Sequence, residues 1–149
     1  MSAQVALGMT LDVMLARELM SPPDPISDDA TVAEAVYHLA ESGQHMVAVC
    51  DRDGRLRGMV TDRDLVVEVA AAGKLTSETR LIDLIRGEVV CVSADDTIEH
   101  AVAKMRDYHT PRLPVVDGDR LVGMLSRSDL ARRVGGNVVG VAHHGPEKA

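Results

Sequence analysis

The sequence predicts an α/β (α+β) protein built from two β-α-β-β-α repeats that pack about a pseudo-twofold axis. Three observations lead to this prediction. The chain contains an internal repeat, the apolar residues of each copy change from a helical to a strand period in the same order, and a length of 149 residues suits two small units. Because a unit of about sixty residues is marginally stable alone, we expect the two copies to share one core.

The internal repeat aligns Ile26–Leu65 with Val92–Leu130, with a single gap opposite Gly54. Of the 39 aligned pairs 14 are identical, and they occur in the same order in both copies. Chance is a poor explanation for this agreement. We therefore divide the chain into an N-terminal segment (1–12), repeat 1 (13–73), repeat 2 (74–134) and a flexible C-terminal tail (135–149).

Each repeat is predicted to contain an amphipathic helix, two strands and a second helix. Apolar residues at helical spacing mark one face of the first helix: Val32, Ala35, Val36, Leu39 and Ala40 in repeat 1, and Ile98, Ala101, Val102 and Met105 in repeat 2. Thr31 and Glu34 predict a capping box, whereas Thr97 begins its helix without an acidic third residue. The strands are predicted from apolar runs on either side of Asp-rich and Gly-containing turns: 46–50 and 56–60, then 113–116 and 121–125.

Composition argues against several classes of function. The chain has no Trp or Phe and only two Tyr, so it lacks the aromatic platform on which single-stranded nucleic acids stack. A net charge of −7 opposes binding to a polyanion. The start of the chain lacks the pattern of a secretory signal, and no apolar run is long enough to span a membrane. We therefore expect a cytoplasmic protein that binds neither nucleic acid nor membranes.

The two cysteines, Cys50 and Cys91, lie in apolar stretches, which favours buried thiols over metal ligands. A redox role stays open, because the sequence does not show whether they come close. The only adjacent histidines, His143 and His144, lie in the tail, and a zinc site would need more ligands at short spacing. We predict no metal and no obligatory cofactor.

The candidate site is a turn that occurs once in each repeat. A glycine, two apolar residues, a hydroxyl, two variable residues and a carboxylate follow one another in Gly58–Asp64 and again in Gly123–Asp129. The glycine lets a ligand approach the backbone closely. The hydroxyl, Thr61 or Ser126, is predicted at a helix start, where free N–H groups favour a phosphate. The carboxylate one turn later can accept two hydrogen bonds from a ribose cis-diol.

A capping box explains the same pattern without any ligand, because the hydroxyl and the carboxylate then satisfy N–H groups of their own helix. The recurrence of the glycine and the duplication of the whole turn favour a ligand site. Two equivalent clefts would then face each other across the pseudo-twofold axis.

The order of the elements, the tandem repeat, and the turn after the strand Leu113–Asp117 resemble a pair of cystathionine-β-synthase (CBS) domains over residues 13–134. Val60–Leu65 is similar to stand-alone prokaryotic two-CBS proteins of the hypoxic-response type. The resemblance implies a homodimer whose central clefts bind adenosine-containing ligands: AMP, ADP or ATP, with S-adenosylmethionine or NAD as further candidates. Because no effector domain is fused, the output would reach an unknown effector protein in trans.

The resemblance also implies roles for individual residues. It gives the ribose to Asp64 and Asp129, the phosphate side to Thr61 and Ser126, and the neighbourhood of the adenine to Thr31 and Thr97. The candidate phosphate contacts are Arg63, Arg112, Arg120 and Arg127. Met46 stands in repeat 1 where repeat 2 has Arg112, so we expect the two sites to be unequal.

Two functions from different classes stay open at this point. The first is a ligand-sensing regulatory module. The second is a structural or adaptor homodimer with vestigial clefts, which would bind a partner protein through an apolar helix face such as that of Leu65, Val69 and Ala72. An enzyme is disfavoured, because the sequence offers no nucleophile, metal constellation or acid–base pair in one place.

Overall fold

The computed structural model describes residues 14–85 and 87–133. The predicted N-terminal segment (1–12), the predicted tail (135–149) and His143 and His144 within it lie outside these described residues. Two units with interleaved segments make up the chain. The repeat 1 unit is Pro23–Val89 with Asp119–Leu121, and the repeat 2 unit comprises the described residues of 1–22, 90–118 and 122–149.

Each repeat shows the predicted β-α-β-β-α order. The elements along the chain are α1 (Ala16–Leu19), β1 (Ile26–Ser27), α2 (Val32–Ser42), β2 (Met46–Cys50), β3 (Leu56–Thr61), α3 (Asp62–Leu65), a π-helix (Val66–Ala70), a 3-10 turn (Leu81–Asp83), β4 (Val92–Ser93), α4 (Ile98–Asp107), β5 (Arg112–Asp117), β6 (Arg120–Ser126) and α5 (Arg127–Arg133). The α/β (α+β) fold class is confirmed.

The repeat 1 unit is organised around a three-stranded sheet in the order β1-β2-β3. β1 pairs with β2 in parallel, while β2 and β3 form an antiparallel pair in which Met46 lies opposite Thr61. A register shift between Val49 and Cys50 marks a β-bulge. The end of β3 runs directly into α3, so the sheet fixes the position of the candidate turn.

The repeat 2 unit has the matching sheet, in the order β4-β5-β6, with β4 parallel to β5. The first described residues of repeat 1, up to residue 22, belong to this unit. Ala16 N donates to Asp96 O at 2.8 Å, and Ser21 forms an isolated antiparallel bridge with Met124 through two backbone hydrogen bonds of 2.8 and 2.9 Å. A short piece of chain more than one hundred residues upstream thus borders the end of β6.

The cores of the two units confirm part of the predicted helix faces. The buried residues are Val32, Ala35 and Leu39 on α2, and Ile98, Ala101 and Met105 on α4. Val36, Ala40 and Val102 are exposed, and the prediction was wrong for them. Each helix packs on its sheet through a single stripe at i, i+3 and i+7, which leaves the i+4 positions at its edge.

The apolar face proposed for partner binding is also corrected. Leu65 and Val69 are each 3% exposed and belong to the core of the repeat 1 unit, whereas Ala72 is exposed. The π-helix between them turns other side chains outwards, since Val66 is 63% and Val67 49% exposed. The apolar surface therefore lies at neighbouring positions.

Both long helices end in a left-handed residue, but the residue type differs. Gly43 ends α2 with φ 71°. The equivalent residue after α4 is His109, which has φ 53°. Glycine adopts this conformation without steric strain, whereas a residue with a Cβ does not.

Candidate functional site

In repeat 1 the candidate turn forms a complete capping box. Asp64 N donates to Thr61 Oγ1 at 3.0 Å, and Thr61 N donates to Asp64 Oδ2 at 3.0 Å. The Asp64 side chain is exposed. The alternative interpretation of the pattern, a pair of helix-capping residues, is therefore realised in this repeat.

In repeat 2 the same turn has different surroundings. Asp129 N donates to Ser126 Oγ at 3.0 Å, as in repeat 1. The Asp129 carboxylate, however, is only 12% exposed and receives two side-chain donors. Ser21 Oγ donates to Oδ2 at 2.8 Å, and the Arg132 guanidinium donates to Oδ1. Asp129 is thus enclosed and doubly bound where Asp64 is open.

The surroundings of Asp129 change its acidity. Burial by itself would raise the pKa of this carboxyl group. The hydrogen bonds from Ser21 and Ser126 and the charge of Arg132 outweigh burial, so that the pKa of Asp129 lies below its ordinary value. The group is therefore ionised at neutral pH and held in one orientation.

Side chains occupy the space that the sequence assigned to a ligand beside the two strand glycines. A Cβ on Gly58 would lie 2.9 Å from Ile85 Cγ2, and one on Gly123 would overlap Met20 Sδ. Each glycine does allow a close approach to the backbone, as predicted. The approaching group is a side chain from the segment that precedes the first strand of a repeat, β1 for Met20 and β4 for Ile85.

Thr31 and Thr97 act as helix N-caps. Thr31 Oγ1 accepts from Glu34 N at 3.2 Å, which with Thr31 N and the Glu34 carboxylate completes the predicted capping box. Thr97 Oγ1 accepts from His100 N at 3.1 Å. Their proposed place near an adenine stays a prediction.

The four candidate phosphate-binding arginines lie in three different settings. Arg63 is exposed on α3. Arg112 begins β5 and Arg127 begins α5, and both are half-buried in the repeat 2 unit. The Arg120 guanidinium donates to the Asp53 carbonyl oxygen in the hairpin turn of the repeat 1 unit. This side chain braces a hairpin turn, and a phosphate contact by Arg120 stays a prediction.

Position 62 carries a side-chain hydrogen bond that sequence reasoning did not identify. Asp62 Oδ2 lies 2.9 Å from His45 Nδ1, and Asp62 N donates to His45 O at 3.0 Å. The side-chain hydrogen bond with His45 holds the pKa of Asp62 below its usual range. Arg127 N makes the equivalent backbone bond to Pro111 O at 2.9 Å. The two turns thus share a backbone frame but carry opposite charges at its first helical residue.

An apolar groove of about 570 Å³ adjoins the hydrogen-bonded side chains of His45 and Asp62 in the repeat 1 unit. Its apolar wall includes Val36, Leu39, Ala40, Leu65, Val66 and Val69. His45, Asp62 and Lys74 lie among its polar lining residues. The exposed side of α2 and the π-helix thus form one continuous apolar surface.

Sequence reasoning missed Ser21 and Arg132 as partners of Asp129. No local signal links Ser21 to Asp129, because the two residues are 108 positions apart in sequence. Arg132 follows Asp129 at i+3, a spacing that brings opposite charges together on a helix.

The remaining sequence predictions concern thiols, metals and membranes. Burial raises the pKa of both Cys50 and Cys91, which keeps these thiols protonated and weakly reactive at neutral pH. Within residues 14–85 and 87–133, no group of three or more His, Cys, Asp or Glu side chains is arranged to hold a metal ion. No helix in the same ranges combines the length and the apolar character needed to cross a membrane. The cytoplasmic location stays a prediction.

Solved structures place the fold beside proteins with known ligands. A crystal structure of Hypoxic Response Protein I with two coordinated zinc ions superposes with a TM-score of 0.74 at 29% identity, covering 80% of this chain and 98% of that one. The CBS domain pair of protein MJ0100, in complex with 5′-methylthioadenosine and S-adenosylmethionine, gives 0.67 at 26% identity over 83% and 98%. CBSX2 in complex with AMP gives 0.69 at 27% identity over 80% and 95%.

Sequence comparison leads to the same family. Hypoxic response protein 1 of Mycobacterium tuberculosis is 30% identical over 109 residues, which are 73% of this chain and 76% of that protein. The family model for the CBS domain matches residues 16–71 and again residues 81–136. The two repeats of this chain are therefore CBS domains, and the chain belongs to the family of tandem CBS-domain proteins.

Proposed function

We propose that this chain is a non-catalytic regulatory module that binds adenosine-containing ligands of the AMP, ADP or ATP type at its two repeated turns. Thr61 and Asp64 form the centre of one site, and Ser126 and Asp129 the centre of the other. Ligand binding changes the conformation or the contacts of a homodimer, and an effector protein in trans reads the change.

The observation that carries this proposal is the unused hydrogen-bonding capacity of Asp64. A carboxylate has about four acceptor positions, and the capping box occupies one, at Oδ2. The rest of the group is exposed. Helix capping and diol binding can therefore take place on the same side chain, so the capping box does not argue against a ligand.

The relatives support the class of ligand. The MJ0100 pair binds 5′-methylthioadenosine and S-adenosylmethionine, and CBSX2 binds AMP. These ligands share an adenosine and differ at its 5′ position. A duplicated hydroxyl-to-carboxylate turn fits the shared part, because its carboxylate is an acceptor for the two hydroxyls of ribose.

Thermal unfolding with a panel of ATP, ADP, AMP, S-adenosylmethionine and NAD tests the proposal. A ligand at about 100 times its Kd adds about 2.7 kcal/mol to the free energy of unfolding, which for a chain of this size raises Tm by several degrees. We expect at least one adenosyl ligand to raise Tm and the Asp64→Ala Asp129→Ala double variant to lose the effect.

Asp107→Ala is the matched control, because Asp107 ends α4 and pairs only with its neighbour Arg106 among the described residues. This variant should keep the full ligand-induced shift. If no adenosyl ligand raises the Tm of protein verified to be ligand-free, the sensor is rejected and the adaptor homodimer becomes the better account.

The homodimer is supported by the apolar groove of the repeat 1 unit. Val36 is 49% and Val66 63% exposed, and both line it. Apolar side chains in one contiguous patch mark a surface that another protein covers. A second copy of this chain presents the same groove, so two copies can bury it by a self-complementary contact.

Sedimentation equilibrium of Val36→Asp and Val66→Asp tests this assignment. A charge inside a buried apolar contact should raise the dimer dissociation constant at least tenfold. Val67→Asp is the control, because Val67 is 49% exposed on the same π-helix but does not line the groove. Equal effects of all three variants, or a wild-type monomer at all concentrations, would contradict the assignment.

A further inference from the structure

We propose that the two sites take different classes of adenosyl ligand. The repeat 1 site takes a ligand whose 5′ substituent is uncharged or cationic, such as a nucleoside, a thioether or a sulfonium. The repeat 2 site takes a ligand whose 5′ substituent is a phosphate. This inference rests on the proposed function and concerns the selectivity of its two sites.

The first step is that the two turns can be compared position by position. The amide of Asp62 donates to His45 O at 3.0 Å, and the amide of Arg127 donates to Pro111 O at 2.9 Å. In each repeat the hydroxyl that precedes this residue accepts from the amide of the aspartate three residues further on. Asp62 and Arg127 therefore occupy the same place beside equivalent hydroxyls.

The second step is the charge at this place. The Asp62 carboxylate stands next to Thr61, is more than half exposed, and is ionised, because His45 lies 2.9 Å from it and lowers its pKa. Arg127 stands next to Ser126 and is permanently cationic. The hydroxyl assigned to the phosphate side thus has an anion beside it in repeat 1 and a cation beside it in repeat 2.

The residues around the two turns carry the same difference in charge. With the His45 imidazole counted as neutral, Asp62, Arg63 and Asp64 of repeat 1 sum to a net charge of −1, and Met46 on β2 is uncharged. Repeat 2 has Arg112 on β5, Arg127 and Asp129, a net charge of +1. Arg132 adds a further cation against Asp129, where the equivalent residue of repeat 1 is Val67.

These charges act mainly on the 5′ substituent. Adenine and ribose are uncharged, whereas a 5′-monophosphate carries about two negative charges at neutral pH. Like charges at contact distance disfavour binding and opposite charges favour it. The repeat 1 site is therefore expected to disfavour adenosine ligands that carry a 5′-phosphate, and the repeat 2 site is expected to favour them.

Isothermal titration of single-site proteins tests the inference. Asp129→Asn leaves the repeat 1 site intact, and Asp64→Asn leaves the repeat 2 site intact; circular dichroism verifies that both are folded. The probes are adenosine, 5′-methylthioadenosine, S-adenosylmethionine and AMP. We expect the Asp129→Asn protein to bind a phosphate-free probe at least tenfold more tightly than AMP, and the Asp64→Asn protein to show the reverse order.

Charge exchange should invert these preferences. Asp62→Arg in the Asp129→Asn protein should tighten AMP binding at least tenfold, and Arg127→Asp in the Asp64→Asn protein should weaken it by as much. Asp107→Arg, far along the chain on α4, makes the same charge change as Asp62→Arg and should have little effect. AMP binding at repeat 2 should also weaken as salt rises, because ions screen the attraction.

The outcomes separate this inference from the proposed function. If both single-site proteins rank the probes alike, or if the exchanged charges leave the ranking unchanged, the selectivity is rejected while the adenosyl sensor stands. If neither site binds any probe, the sensor is rejected and the selectivity with it.

Discussion

The two candidate turns share one sequence pattern, yet their carboxylates lie in different surroundings. Among the described residues, Asp64 is exposed and takes part only in its own capping box, whereas Asp129 is buried and bound by Ser21 and Arg132. The difference does not arise inside the pattern. It arises from residues that pack against it, above all from Met20 and Ser21, which lie before β1 in the chain.

Two copies of one sequence motif can therefore share a backbone conformation and still differ in function. Both turns close the same amide-to-hydroxyl hydrogen bond at 3.0 Å. A carboxylate with fixed donors has a set orientation and a lowered pKa, while an exposed carboxylate is free to reorient. We therefore expect the two repeats to respond differently to equivalent substitutions.

The largest expected difference is between the two strand glycines. Gly123→Ala should lower the free energy of unfolding by about 3 kcal/mol, and Gly58→Ala by about 1 kcal/mol. At Gly123 the new Cβ would meet Met20 at Sδ, Cγ and Cβ, and the backbone beside Met20 is fixed by the pairing of Ser21 with Met124. At Gly58 the overlap is with Ile85 alone, at 2.9 Å. Urea denaturation measures both values.

Shortening the opposing side chain sharpens this comparison. Met20→Ala combined with Gly123→Ala should recover at least half of the loss, because the new methyl group then fills the space of the missing side chain. Equal losses for the two glycines, or no recovery in the double variant, would show that Met20 does not distinguish the repeats.

A smaller difference is expected between the two carboxylates. Asp129→Asn should lower the free energy of unfolding by about 2 kcal/mol, because charge-assisted hydrogen bonds from Ser21 and Arg132 are weakened. Asp64→Asn should cost about 0.5 kcal/mol, since an exposed Asn still serves as a capping residue. Similar losses at both positions would show that the different surroundings of the two carboxylates do not change their contribution to stability.

The stabilisation that Asp129 contributes is expected to depend on pH. The pKa of Asp129 is lowered in the folded protein, so its stabilisation is fully present above the unfolded-state pKa of about 3.9. It is lost as pH falls through the lower folded-state pKa. The stability difference between the wild type and Asp129→Asn should therefore shrink as pH falls below about 4. A difference that is independent of pH would contradict the lowered pKa.

The smallest expected effects concern the ends of α2 and α4. His109→Gly should raise the free energy of unfolding by up to about 1 kcal/mol, because it removes a Cβ from a residue with φ 53°. Gly43→Ala should lower it by about 1 kcal/mol, since the new Cβ meets no clash and only the backbone conformation is strained. Thermal denaturation checks both signs; a loss in His109→Gly would show that the imidazole makes a stabilising contact.

The fold could be predicted from the sequence because its signals are local. The period of Val32, Ala35 and Leu39 and the turn chemistry after Cys50 each depend on residues a few positions apart. The capping boxes at Thr31 and Thr61 follow from the same short spacing. The exposed position of Val36 was not predicted. A residue four positions after Val32 can lie within the buried stripe or at its exposed edge, and the spacing does not distinguish the two.

The surroundings of the candidate site could not be predicted, because they depend on distant pairs. Ser21 and Asp129 are 108 residues apart in sequence, and nothing near either residue specifies the other. The side-chain hydrogen bond of His45 and Asp62 spans a β-hairpin, and it depends on the register in which Met46 lies opposite Thr61. A one-residue slip of that register would remove it.

The interleaving of the two units has a consequence for the order in which the protein is made. Ala16 and Leu19 leave the ribosome before residues 92–130, which contain the buried partners of their core cluster. Nearly all of the repeat 1 unit lies in Pro23–Val89. It can fold before the buried partners of Ala16 and Leu19 have been synthesised. During synthesis the repeat 1 unit can therefore assemble first, and Ala16 and Leu19, although they are made earlier, are enclosed later.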